Sequence, residues 1–291
     1  MKTNEIKVLA VIPTIFPKEQ LIKVCEELKF GTLYRDCDIL VVYNTETDYA
    51  HVEPSLWSPA MEERLHELSD VVYPHVNMNW LHSCNMGLLQ GVRENYSHVL
   101  LLNDDVQLSG KFLEEMIISA TRTNEGNFKL GFHPFGITAP LYNGFWGEKQ
   151  REVPWKNLEN RRPAYHVNYV DGTCMLVSTE LVEKIGVLDS SFGSPGWGAD
   201  VDYCFRARQA DALVKICPNA YVSHDKEVGG YSAVKVYRSA TAWHQAGLKQ
   251  ARMDLERKYG KEFRKLLGLP PKAYIETKQG LQAVRARHGE L

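Results

Sequence analysis

The sequence predicts an α/β protein with a mostly parallel central sheet and helices on both faces. Three observations predict it. In the first half, apolar runs rich in branched residues alternate with helical patterns four times, and that alternation makes parallel strands joined by helices. Thr14, Asn44 and the run Asn103-Asp104-Asp105 all fall where these apolar runs end, and open α/β sheets bind ligands outside the carboxyl ends of their strands. A 291-residue chain that is 44% hydrophobic and 24% charged carries a substantial core, enough for one large domain or two small ones.

Each element has a local reason. "IKVLAVI" is a buried strand stopped at Pro13. "PKEQLIKVCEELKF" sets Leu21, Val24 or Cys25, and Leu28 on one helical face. "DILVVY" is a second buried strand, running into "NTETD". "SPAMEERLHEL" opens with a serine cap and proline at the first helical position. "DVVY" is a short third strand, and "WLHSCNMGLLQGVREN" a helix weakened by two glycines. "SHVLLL" is the fourth strand and "GKFLEEMIISATR" the helix after it.

The second half is less regular. Residues 140–168, with Trp146, Trp155 and several prolines and glycines, predict a long loop over the site. "YVDGTCMLVS" resumes a strand, and "STELVEKIG" a short helix capped by Thr179 and ended by Gly186. "FGSPGWG" is a glycine-rich turn into the helix "ADVDYCFRARQA". "LVKIC" and "AYVSH" read as two short strands. From Ala233 to Leu267 apolar residues, Leu248, Leu255, Phe263 and Leu266 among them, recur at helical spacing with a basic opposite face. Two domains follow: residues 1–232, and a helical C-terminal extension, 233–291, that holds thirteen basic and five acidic residues. The extension carries about +8 and the rest about −10.

No run approaches the roughly 20 apolar residues of a membrane helix. Six scattered cysteines without a CxxC pair read as reduced core residues. Together these predict a cytoplasmic protein, in a bacterial or phage-host cytosol, at most peripheral to a membrane.

Three groups of residues carry chemistry. The apolar strand before Asp104 and Asp105 delivers two adjacent carboxylates to its own end. Like charges resist such placement, so the pair serves either as a helix cap or as hard oxygen ligands for Mg²⁺ or Mn²⁺. A haloacid-type phosphatase needs a second aspartate two positions on, and Val106 and Gln107 stand there instead. Asp200 and Asp202 open a helix after a glycine turn, as caps or, for Asp200, as a general base in a cleft. His224 follows a short strand, as a structural histidine or a third metal ligand.

In this order and spacing, "VLAVIPTIF", "DILVVYNTETD", "NWLHSCNMGLLQG", "HVLLLNDDVQLSGKFLEEMI", "DGTCMLVSTELVEKIGVLDSSFG", "WGADVDYCFRARQADALVKICPNAYVSH" and "MDLERKYGKEF" resemble a family 2 glycosyltransferase of the GT-A fold, close to the rhamnosyl- and glucosyltransferase-like group. The resemblance spans roughly residues 6–264 and is strongest from Asp171 to His224. It implies a metal-dependent inverting transfer of a sugar from a nucleotide-diphosphate donor to an acceptor hydroxyl. Asp105 and His224 would hold Mn²⁺ or Mg²⁺. Pro13, Thr14, Asn44, Asn85 and Asp104 would line or support the donor pocket, and Asp200 would be the base. Trp197 and Asp202 would stand on the acceptor side. The chain departs from the family pattern at Tyr43 and Ala199, where acids are usual, and at Cys84, where arginine is frequent.

Two rivals remain. Nucleotidyl transfer would want a lysine-bearing glycine loop after the first strand, and "PTIFPKEQ" has no glycine. A non-catalytic sugar-nucleotide or glycan binder would fit the changes at Tyr43 and Ala199. The acceptor is a glycan, a lipid-linked glycan or a modified nucleic acid. The basic extension either faces such a polyanion or is a solvated helix face.

Overall fold

The computed structural model describes residues 6–15, 19–31, 36–44, 58–75, 78–121, 135–143, 163–193, 196–224 and 240–269. The expected loop tryptophans Trp146 and Trp155 lie outside the described residues, as does the basic segment after residue 269.

The first half folds in the predicted order: β1 (Val8–Thr14), α1 (Glu19–Phe30), β2 (Cys37–Tyr43), α2 (Pro59–Leu68), β3 (Asp70–Val72), α3 (Asn79–Arg93), β4 (His98–Leu102), β5 (Val106–Leu108) and α4 (Phe112–Thr121). The second half adds β6 (Gly136–Asn143), β7 (Tyr165–His166), β8 (Cys174–Ser178), α5 (Thr179–Ile185), α6 (Ala199–Gln209), β9 (Leu213–His224), α7 (Ala240–Tyr259) and α8 (Phe263–Leu267).

Among the described residues one nine-stranded sheet runs β3-β2-β1-β4-β8-β6-β9-β5, with β7 beside β9. β1 to β4 are mutually parallel. β8 is antiparallel to both β4 and β6, and β5 and β7 are antiparallel to β9. The sheet is therefore mixed. Six strands point one way; of the three reversed ones, β7 and β8 lie in the second half, where strand–helix alternation breaks down, and β5 directly follows the Asp104–Asp105 pair.

The two faces carry separate cores. Val8, Ala10 and Ile12 of β1 face α1, α2 and α4, whereas Leu9 and Val11 face α3, α5 and α6. This is the period-2 division of a strand buried on both sides. Ser58 caps α2 as expected, its Oγ accepting from Met61 N at 3.2 Å with Pro59 at the first position. The two glycines in α3 have a packing reason: a Cβ at Gly87 would collide with Val11, and one at Gly91 with Val99. They cost helix propensity and let α3 lie close on the sheet.

Several expectations change. Ser178, not Thr179, caps α5, accepting from Leu181 N at 3.4 Å. Thr179 instead donates to Tyr96 O at 2.6 Å. Gly186 does end the helix, at φ 77°. "LVKIC" and "AYVSH" join into the single strand β9, whose register against β6 shifts between Pro140 and Leu141. In α7 and α8 the inward side chains are Leu255, Phe263 and Leu267, all in the core that covers α6. Leu248 and Leu266 point outward. The described helices of the expected extension thus share a core with α3, α5 and α6. All six cysteines are buried and free. Among the described residues no helix is long and apolar enough to cross a membrane.

Candidate active site

Four parallel strands deliver the candidate residues to one edge. Thr14 ends β1 and donates its hydroxyl to Asp104 Oδ2 at 2.6 Å. That bond relieves part of the charge on the Asp104–Asp105 pair. Asp105 is 6% exposed, an expensive position for a carboxylate without compensation. β5 follows at once, and its register pairs Val106 with His224 of β9. The backbones of the two expected metal ligands are thereby brought together across one strand pair. The His224 side chain lies outside the described residues. Asn103 Oδ1 next door is buried without a hydrogen-bond partner.

Among the described residues no cluster of three His, Cys, Asp or Glu side chains forms. What is present suits a hard divalent ion: two adjacent carboxylates and an unused amide oxygen, all oxygen donors. Such an ion would complete its shell with phosphate oxygens, water or His224.

A second carboxylate group adjoins the first. The turn Asp171-Gly172-Thr173 precedes β8, and Asn103 N donates to Thr173 O at 3.0 Å. One backbone bond thus joins this turn to the residue before Asp104. Across the turn stands Asp200, in the first turn of α6. Its Oδ2 accepts from Gly172 N at 2.9 Å and its Oδ1 from Val201 N at 2.8 Å. Burial pushes the Asp200 carboxyl up, Asp171 adds like-charge repulsion, and the backbone donors oppose both; the result is about 6, from an ordinary 3.8. A carboxylate at that value is a matched proton acceptor near neutral pH.

Asp171 received no role from the sequence, though the run "DGT" carries a signal. Asp171 Oδ1 accepts from Thr173 N at 2.8 Å, closing a tight Asx turn. Gly172 is required there, because a Cβ would lie 2.8 Å from the Trp80 ring and 3.5 Å from Asp200 Cβ.

The remaining predicted residues have other partners. Asn44 is fully buried; its Nδ2 donates to Ser83 Oγ at 3.1 Å and its Oδ1 accepts from Met78 N at 2.8 Å. It ties the end of β2 to the start of α3. Asn85 makes a two-way bond with Leu188, donating to the carbonyl at 2.8 Å and accepting from the N–H at 2.9 Å. It fixes the segment leading towards Asp200. Pro13 lies within β1, opposite Val42. Trp197 packs on α7, where a Cβ at Gly247 would fall 2.6 Å from its ring.

Asp202 is fully buried and faces the same helix. It accepts from Arg206 Nε at 2.9 Å and Tyr259 Oη at 2.6 Å, with Lys258 Nζ at 2.5 Å. It anchors α7 and its carboxylate has no solvent exposure, unlike the partly exposed Asp200. A cavity of about 220 Å³ near Glu27, Leu108 and Phe112 holds none of these residues.

Fold and site together define an α/β protein whose ligand edge is lined by carboxylates at the carboxyl ends of parallel strands. No protein-family model matches the chain. Uncharacterized proteins of Mycobacterium bovis and Mycobacterium tuberculosis are 28% identical over 154 residues, 52% of this chain and 55% of theirs. The low-salt glycan biosynthesis hexosyltransferase of Haloferax volcanii is 24% identical over 161 residues, 50% of this chain and 48% of that protein. The chain thus spans about half the length of these relatives. The crystal structure of GalNAc-T7 with UDP, GalNAc and Mn²⁺ matches with a TM-score of 0.51 at 12% identity, over 76% of this chain and 44% of that one. The chain is therefore similar in fold to a glycosyltransferase and distantly similar in sequence to a hexosyltransferase.

Proposed function

We propose that the protein is a divalent-metal-dependent, inverting glycosyltransferase that uses a nucleotide-diphosphate sugar. The observation that carries this reading is the Asn103 N to Thr173 O bond. It couples an edge suited to a cation and diphosphate to a turn that holds a general base.

In this reading Asp105 and His224 hold the cation, and Asp104, oriented by Thr14, supports the donor. The cation, when bound, supplies charge stabilisation for the departing diphosphate. Asp200 takes the proton from the acceptor hydroxyl. The acceptor oxygen forms its bond to the anomeric carbon from the face opposite the diphosphate, and the bond to the diphosphate oxygen breaks. The products are the inverted glycoside and a nucleoside diphosphate, and Asp200 releases its proton to solvent. Asn44 and Asn85 position the walls of the site through the backbone bonds described above.

The test is a panel of UDP, GDP and dTDP sugars, with and without Mn²⁺, on wild type, Asp105→Asn and Asp200→Asn. One donor should be turned over only with metal. Asp105→Asn should lose metal-dependent donor binding. Asp200→Asn should keep binding and lose turnover by at least about 10²-fold. Ala199, fully buried where the family usually carries an acid, favours a second reading, a non-catalytic sugar-nucleotide binder. That reading predicts donor binding without turnover in the wild type.

A further inference from the structure

The surroundings of Asp200 bear on what the acceptor is. The Trp80 indole, in the first turn of α3, is partly exposed. Its ring edge, Cζ2 and Cη2, and Asp200 Cβ meet across Gly172, at 2.8 Å and 3.5 Å from where a Cβ on that glycine would stand. Only a residue without a side chain allows the ring so near the carboxylate. Tyr169 stands two residues before Asp171. Burial raises its hydroxyl pKa, Asp200 and Asp171 raise it further, and Arg264 of α8 opposes them.

The charges decide between acceptor classes. An anionic acceptor reaching Asp200 would bring its charge against Asp171 and Asp200 together, which both would resist. Two cations of the described part of the extension are already engaged within the fold. Arg257 pairs with Asp254 at 3.0 Å and donates to Ser191 O at 2.6 Å. Lys258 pairs with Asp189 and Asp202, each at 2.5 Å. These cations hold α7 in place. Hydroxyl groups, by contrast, suit carboxylate acceptors, and the apolar C–H face of a sugar ring suits an indole.

We infer that the acceptor hydroxyl belongs to an uncharged sugar ring that lies on the Trp80 indole beside the Asp171–Asp200 pair. The inference rests on the function proposed above and names its acceptor as a neutral glycan, at least at the terminal residue.

The test uses saturation-transfer NMR on the full chain with Mg²⁺ and UDP, or GDP or dTDP in place of UDP throughout where the donor panel selects it. The probes are methyl hexosides, neutral disaccharides, the corresponding hexose 6-phosphates and a short DNA duplex. At least one neutral saccharide should receive saturation at its ring C–H protons. Trp80→Ala should weaken that binding roughly tenfold, Trp80→Phe should retain most of it, and UDP affinity should be equal in all three proteins. Equal UDP affinity also shows that Trp80→Ala is folded. Neutral saccharides that bind Trp80→Ala as well as wild type would overturn the inference. So would silent neutral saccharides beside responding 6-phosphates or DNA, or UDP binding with no saccharide response at all. Failure of wild type to bind any of UDP, GDP and dTDP would instead remove the proposed function, and the inference with it.

Discussion

At the scale of single residues, Asp200 is held by two backbone N–H groups while facing the like charge of Asp171. Its raised pKa has two consequences with opposite uses. Under the proposed role of Asp200 as base, turnover should rise with pH through about 6 and then level, because that role needs the ionised carboxylate. Asp171→Asn removes the repulsion and keeps an oxygen for Thr173 N, so the acid limb of the rate profile should move below 6. The folded chain also holds this proton more tightly than the unfolded chain. Asp200 therefore favours folding below about 4 and loses that contribution as pH rises through about 6. Thermal melts between pH 4 and 7 should show a shallower fall in Asp171→Asn than in wild type. Asp189 runs the other way: burial would raise it, but Lys258 and the Ser191 N–H outweigh that and hold it near 2.

At the scale of elements, α7 is tied to α6 and to the segment before it by charged hydrogen bonds. Gly193 N and Gln250 Nε2 both donate to Asp254 Oδ2, at 2.9 Å and 3.0 Å. Gly198, at φ 90°, lets Ala251 and Leu255 approach within 3.3–3.5 Å of where its Cβ would be. Tyr259→Phe should cost about 1.5–2 kcal/mol in urea denaturation, because it removes a bond to a buried carboxylate. Asp202→Ala should cost about 3 kcal/mol, the low end for a broken buried pair, since Arg206 and Lys258 both reach solvent. Comparable losses from both variants would contradict this account, since one removes a single bond and the other the whole anchor.

At the scale of the whole molecule, the described C-terminal helices complete the core instead of standing off it. A chain ended at residue 232 loses Leu255, Phe263 and Leu267 from a continuous apolar cluster and takes Tyr259 and Lys258 away from Asp202. It should be insoluble or lack a cooperative melt, measured by circular dichroism. A soluble fragment 1–232 with a sharp transition would show instead that the extension is a separate unit.

What was legible in the sequence was set by local rules. The β1–α4 order, the Ser58 cap, the Gly186 stop and the buried cysteines follow from residue periodicity, capping chemistry and composition, which act over a few residues. So does the delivery of Thr14, Asn44 and Asp104 to strand ends. The sequence did not reveal β5 or β6, because three-residue and proline-containing strands carry little periodicity and form only when a partner supplies the ladder. It put Trp197 and Asp202 on the acceptor side and did not show that both touch α7, because a helix start looks the same whichever neighbour covers it. It passed over Asp171, whose effect on Asp200 exists only once the turn and α6 meet. Local sequence determined the strands, helices and strand-end carboxylates. Tertiary contact decided which carboxylate holds its proton up to about 6 and which is an anchor, because desolvation and charge pairing depend on distances between residues far apart in the chain.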